Sequence, residues 1–228
     1  MFNKRKSENL KPIFLTAFAN DCSRREYEPG YIVCVCNTTY CDSLKPFSLK
    51  PATAVIIESS KSGKRFAKSE ISFKDESEFK KSKRRTSYID VTINREKRYQ
   101  SIIGFGGAFT DSAGLNIQSL PKTLSERLIK DYFAEDGVQY SIGRITIAVT
   151  DFSTRKYAYN EVDGDFNLTH FKLTEEDIKL KIPIIKYAMN VSTHKLKLFS
   201  SDSSSPAWMK TNNDIAGGGI LKGRNNFK

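Results

Sequence analysis

The chain has 228 residues, enough for one large domain or two small ones. Hydrophobic residues make up 39% and charged residues 28%, a globular composition, and no run approaches the roughly 18 apolar residues of a membrane-spanning helix. The net charge of +11 is unevenly placed, because residues 45–98 hold 15 Lys/Arg against 7 Asp/Glu, and its densest point is Lys80-Lys81-Ser82-Lys83-Arg84-Arg85. No helix-turn-helix, zinc-finger or RNP pattern accompanies that run, so it reads as a solvated loop and no nucleic-acid partner is expected. In a secreted protein the same excess would favour an anionic membrane surface.

The first 19 residues have a basic start (Lys4, Arg5, Lys6), a short apolar stretch and Ala17-Phe18-Ala19, the small-x-small pattern of a cleavage site. A signal peptide over 1–19 is expected; an ordinary buried segment is the alternative. Residues 20–44 contain every cysteine: Cys22, Cys34, Cys36 and Cys41. Four cysteines allow three pairings, and the C-x11-C-x-C-x4-C spacing lacks the paired C-x2-4-C knuckles of a zinc site. A disulfide-stapled β module in an oxidising compartment is therefore expected, with no metal. Asn37-Thr38-Thr39 is a glycosylation sequon within it; Asn167-Leu168-Thr169 and Asn190-Val191-Ser192 are further acceptors, Asn190 at an expected helix end.

Residues 45–98 read as strands separated by charged turns, at 54–58, 66–73 and 88–93, suited to part of an antiparallel β-sandwich. From residue 99 the pattern changes to strands alternating with helices. A strand is expected over 101–106, running into the glycines at 104, 106 and 107. A capping box at Thr123-x-x-Glu126 opens a helix carrying Leu124, Leu128, Ile129, Tyr132 and Phe133, with Gly137 as its stop. Residues 142–149 form an almost continuous apolar strand, interrupted by Arg144 and Thr146. Thr174-x-x-Asp177 signals a second helix, with Pro183 in a first turn over 182–191, and 196–199 is the next strand. The order argues for βα units and a parallel sheet.

Three parallel strands leave open edges, and a closed (β/α)8 barrel takes about 250 residues, so 99–228 is expected to be the first three βα units of a TIM barrel. Gly104-x-Gly106-Gly107 lacks the third glycine of a dinucleotide loop and the Lys-Ser/Thr of a phosphate loop, so no cofactor is expected. The serine run at 200–205 has no G-x-S-x-G elbow, and His170 and His194 have no evident triad or metal partners near them in sequence.

Several segments in order resemble glycoside hydrolase family 30, the family of acid β-glucosidase. They are Val33-Cys34-Val35-Cys36-Asn37-Thr38-Thr39-Tyr40-Cys41-Asp42-Ser43, Gly104-Phe105-Gly106-Gly107-Ala108-Phe109-Thr110-Asp111, Asp177-Ile178-Lys179-Leu180-Lys181-Ile182-Pro183, Trp208-Met209-Lys210-Thr211-Asn212 and Leu221-Lys222-Gly223. The resemblance implies disulfides Cys22–Cys34 and Cys36–Cys41, and a stapled module and β-sandwich flanking a TIM barrel. It also implies cleavage of the β-glucosidic bond of glucosylceramide, with retention, and a route to the lysosomal lumen or outside the cell. It leaves any activator protein unspecified.

Retaining hydrolysis needs two carboxyl groups ~5–5.5 Å apart, one protonating the leaving oxygen and one attacking the anomeric carbon. The resemblance places the first in an Asn-Glu-Pro motif after the fourth barrel strand and the second later still. Here Asn160-Glu161 is followed by Val162 and lies after the second strand, so this chain is expected to lack both glutamates.

Asp151 matches the family aspartate that binds glucose hydroxyls; read without the resemblance, it is a cap for Ser153 and Thr154. Arg144 is expected in a structural ion pair and Asp111 in a structural role. Where the family has a sugar-stacking tryptophan this chain has Ser203, and Trp208 is in register with a different, framework tryptophan. The alternative function is a non-catalytic secreted protein on the same scaffold, binding lipid, glycan or a protein partner.

Overall fold

The computed structural model describes residues 23–41, 47–61, 64–74, 91 and 93–223. The chain divides into two compact units, Met1–Arg95 and Glu96–Lys228.

The first unit contains two hairpins. β1 (Arg24–Glu28) and β2 (Tyr31–Cys34) pair antiparallel around a tight turn in which Gly30 takes φ +80° and its N–H donates to Glu26 Oε1 at 2.9 Å. β3 (Thr53–Glu58) and β4 (Ala67–Ser72) pair antiparallel in continuous register from Thr53↔Ser72 to Glu58↔Ala67. These last two strands coincide closely with the expected ones at 54–58 and 66–73. The described strands make two two-stranded sheets and no sandwich. Of the expected strand at 88–93, residues 88–90 and 92 lie outside the described residues. Cys36 is bonded to Cys41, and Cys34 is also in a disulfide; Cys22 lies outside the described residues.

The second unit is a parallel sheet in the order β5–β6–β7: β5 (Gly106–Phe109), β6 (Ile142–Ile147) and β7 (Lys197–Asp202). Gly106 pairs with Ile142, and Ile142 in turn with Lys197. The expected strand at 101–106 is thus displaced: pairing begins at Gly106. A Cβ at Gly106 would lie 1.6 Å from the Ile142 carbonyl oxygen, so only glycine permits this approach. At Gly143 the missing side chain makes room for the Phe109 ring, which a Cβ would meet at 2.4 Å.

Helix α1 (Asp111–Gln118) follows β5 directly, capped by Thr110 Oγ1, which accepts the Ala113 N–H at 3.0 Å. Helix α2 (Lys122–Phe133) begins after Pro121 with no side-chain cap, so the capping box at Thr123 and Glu126 does not form. Pro121, with its fixed φ, takes the N-cap position, so the helix starts two residues earlier than the box would place it. The helix ends at Phe133, and Gly137 sits in the following turn.

After β6 the chain makes a long loop, then a π-helical turn (Glu176–Lys181) that continues into α3 (Ile182–Val191). Pro183 has no N–H for the carbonyl four residues back, that of Lys179. Gln118 Nε2 from α1 donates to that carbonyl at 2.6 Å. The distorted turn therefore coincides with the proline, as such helical defects usually do. A short 3-10 turn (Ala207–Met209) follows β7.

The helices are held on the sheet by a core of Phe109, Ile129, Phe133, Ile184, Ile185, Ala188 and Leu196. Ile129 and Phe133 lie one helical turn apart on α2, and Phe133 stacks on Phe109 at 5.6 Å between ring centres.

Candidate active site

In a sheet of parallel strands followed by helices, chemistry gathers at the C-terminal strand ends. β6 runs out through Ala148 and Val149 into a turn in which the Ser153 N–H donates to the Thr150 carbonyl at 3.1 Å. Thr150 N–H donates to Ser153 Oγ at 2.8 Å, closing the same turn from its other side. Asp151 and Phe152 are the tip. Asp151 is exposed, and among the described residues its carboxylate makes no hydrogen bond or ion pair, including none to Ser153 or Thr154. It is therefore free to accept two hydroxyl donors.

The end of β7 is lined with hydroxyls. Arg144 Nε, from β6, donates to Ser201 Oγ at 2.5 Å, and Arg144 Nη2 donates to the Ser201 carbonyl and Ser203 Oγ, each at 3.4 Å. The expected ion pair of Arg144 is replaced by these bonds. Serine hydroxyls and a carbonyl are small acceptors that the neighbouring parallel strand brings into register. Asp202 and Ser203 are exposed beside them.

Beneath these ends lies a buried polar network that fixes the loop after β6. The side chain of Lys181 is fully buried: its Nζ lies 2.6 Å from Asp177 Oδ1 and donates to the Thr146 carbonyl at 3.0 Å and to Tyr159 Oη at 3.1 Å. Tyr159 Oη in turn donates to Asp177 Oδ1. Tyr157 Oη is within 3.1 Å of the Ala148 carbonyl and 3.2 Å of Asp111 Oδ2, so Asp111 is a buried partner of a tyrosine as well as the first residue of α1.

Burial alone would raise the Asp177 pKa; the hydrogen bonds from Lys181 and Tyr159 outweigh it and hold the carboxyl below its ordinary range. Burial, then the nearby Asp111 carboxylate, pushes the Tyr157 phenol far above its usual value. Tyr159 is also raised, by burial and by its bond to Asp177.

The loop's outer part is closed by Asp165. Its carboxylate accepts the N–H and Oγ1–H of Thr169 and the N–H of His170, and lies 3.3 Å from His170 Nδ1. The His170 N–H is the largest cause of a pKa lowered to about 2. The other histidine, His194, lies 3.1 Å from Gln139 Oε1 through its Nε2. Trp208 Nε1 donates to the Asn160 carbonyl at 3.0 Å, and its ring meets Phe166 edge-on at 5.0 Å, so its role is to hold this loop. Glu161 is an exposed turn residue accepting the Ala158 N–H at 3.0 Å. Among the described residues, no group of three or more His, Cys, Asp or Glu side chains is arranged so that it could hold a metal ion.

Asn37, Asn167 and Asn190 are all exposed. Asn37 Oδ1 accepts from Thr39 N and Oγ1 and from Tyr40 N. Asn190 is inside α3, one residue before its end.

Sequence reasoning missed the Lys181–Asp177–Tyr159 network, although Asp177 and Lys181 stand at helical i,i+4 spacing. It missed α1 too, which Thr110-Asp111 announces as a capping residue followed by an acidic first turn.

Parallel strands alternating with helices, with polar groups gathered at the C-terminal strand ends, are the arrangement of (β/α)8-barrel domains. The family model for the glycosyl hydrolase family 30 TIM-barrel domain matches residues 102–228. The chain is 44% identical to a Caenorhabditis elegans protein named "Putative glucosylceramidase 4", over 91% of this chain and 38% of that one. It is 39% identical to the lysosomal acid glucosylceramidase of Mus musculus, over 90% of this chain and 39% of that one. Among solved structures, SrfJ from Salmonella typhimurium is 36% identical with a TM-score of 0.50, covering 54% of this chain and 27% of that one. The chain belongs to glycosyl hydrolase family 30. It spans under two-fifths of the length of these two curated relatives.

Proposed function

We propose that these residues are the sugar-holding front of a retaining β-glucosidase acting on glucosylceramide or a related β-glucoside. In this reading both catalytic glutamates are supplied from outside the 228 residues. The observation that carries it is Asp151: an exposed, unpaired carboxylate at the C-terminal end of β6, held at the tip of a turn closed by Thr150 and Ser153. A carboxylate so placed accepts two sugar hydroxyls, each a charge-assisted hydrogen bond. The Arg144–Ser201–Ser203 cluster forms a polar wall on the adjoining strand, and Ser203 offers a hydroxyl where stacking would need a ring.

The Cys36–Cys41 disulfide and the name of the mouse relative support a secretory route ending in the lysosomal lumen or outside the cell, with Asn37, Asn167 and Asn190 as glycan acceptors. The basic stretch 45–98 supports contact with an anionic membrane surface.

Calorimetric titration of the chain with methyl β-glucoside tests the sugar assignment. Asp151→Ala is expected to weaken binding by about tenfold or more, the loss of one or two charged hydrogen bonds. An unchanged affinity contradicts it.

A further inference from the structure

β6 gives way to a strained residue. Ala148, directly after the strand, takes φ +58°, the left-handed region in which an alanine Cβ crowds the following carbonyl oxygen. Five other non-glycine residues among those described have a positive φ: Ala52, Phe66, Gln139, Leu168 and Asn213. All five are exposed or half-buried, whereas Ala148 is 3% exposed. A strained residue persists only where its surroundings impose the conformation.

Two phenols impose it. Tyr157 Oη donates to the Ala148 carbonyl at 3.1 Å, and a backbone hydrogen bond links Ala148 to the Tyr159 phenol. Both rings also pack with Ala148 in one buried cluster. Each phenol is anchored in turn. Tyr157 Oη faces Asp111 Oδ2 at 3.2 Å, at the start of α1. Tyr159 Oη accepts from Lys181 Nζ at 3.1 Å and donates to Asp177, both in the π-helical turn. Two helical elements are thus braced against one alanine.

A left-handed residue at this point sets the direction in which the chain leaves the sheet. Two residues on, Thr150 and Ser153 close the turn whose tip carries Asp151. Tyr157 is 1% exposed, so it cannot itself touch a ligand at that tip.

We propose that Tyr157 is a positioning residue: its phenol, acting through Ala148, holds the turn that aims Asp151. The consequence for sugar binding rests on the Asp151 assignment above; the clamp does not. Without the phenol, Ala148 can return to negative φ, and the turn swings away from the strand end. Glycine at position 148 reaches positive φ without steric cost and needs no clamp.

Hydrogen exchange of the Thr150 and Ser153 amides in the 228-residue chain, beside calorimetric titration with methyl β-glucoside, tests the clamp. Tyr157→Phe keeps the ring and removes only the hydroxyl. It is expected to lower protection of both amides about 5- to 25-fold, the bias of alanine against the left-handed region. The β6 amides are expected to keep theirs. Adding Ala148→Gly should restore most of the lost protection, and sugar affinity should fall and recover in step. Loss that spreads to the β6 amides, loss that Ala148→Gly fails to repair, or no loss at all overturns the proposal. Protection that falls and recovers without any Asp151-dependent affinity upholds the clamp and sinks the sugar assignment. Affinity that depends on Asp151 but not on Tyr157, with protection unchanged, does the reverse.

Discussion

The two units reach order by different means. Among the described residues of Met1–Arg95, Ala67 is the one buried hydrophobic side chain, and strand pairing, turns and a disulfide do the organising. In Glu96–Lys228 two apolar clusters, one of them around Ala148, Tyr157 and Tyr159, join a buried ion pair whose cation has no exposed side-chain surface. Local bonds can define a hairpin, whereas a long loop leaving a buried strand needs rigid support from packed side chains. The second unit supplies that support at two places: Asp177 and Lys181 hold Tyr159 and Thr174, and Trp208 holds Asn160 and Phe166.

The sharpest break in this contrast is Lys181→Met. It leaves Asp177 as a buried, uncompensated charge and is expected to cost about 3–5 kcal/mol in urea unfolding of the second unit. Adding Asp177→Leu is expected to recover most of that loss; a single-variant cost under about 1 kcal/mol shows the network is dispensable.

The first unit answers to a different lesion. Replacing Cys36 and Cys41 by serine opens a short loop and is expected to cost about 2 kcal/mol on the chain-entropy scale. Hydrogen exchange should show the loss confined to residues 23–41 and absent from β5–β7. Equal loss in both units contradicts local stapling.

Acid sharpens the comparison further. Asp165 falls from an ordinary 3.8 to about 2 in the folded state, through the His170 and Thr169 donors, and Asp177 is also depressed. A depressed carboxyl contributes stability that is present above its unfolded pKa and lost as pH falls through the folded one. The second unit should therefore hold to about pH 4 and weaken between 4 and 2, with a shallower profile in Asp165→Asn, monitored by Trp208 emission. Identical profiles for the two proteins rule out Asp165 as a source of that acid sensitivity.

The smallest effect belongs to Thr146, wholly buried in β6, whose Oγ1 has no hydrogen-bond partner among the described residues. Thr146→Val exchanges that hydroxyl for a methyl of similar size and is expected to be neutral or to stabilise by up to about 1 kcal/mol. A loss above about 1 kcal/mol would show that the hydroxyl is satisfied in solution.

Much of the second unit was legible in the chain because its signals are local. The apolar run at 142–149 gave β6, and the periodicity of Ile129 and Phe133 gave α2, because a buried strand and an amphipathic helix each need one repeating pattern. Boundaries failed where another residue won: Pro121 displaced the capping box, and Gly106 drew β5 later than the apolar run 101–103 suggested. The partners of Arg144 and Lys181 were not legible. Each depends on which strand or loop arrives beside it, Ser201 from 57 residues away and the Thr146 carbonyl from 35. Asp151 could be proposed from sequence only through the family resemblance. The turn that presents it unpaired became visible once Thr150 and Ser153 were seen to bond each other.

The most direct measurement is turnover of a fluorogenic β-glucoside by the purified 228-residue chain across pH 4–7. On the proposed reading, in which Asp151 holds the sugar and both glutamates lie outside these residues, release is expected to stay at the uncatalysed rate. Hydrolysis above that rate, abolished by Asp151→Ala, would contradict the account and place a complete catalytic site within these residues.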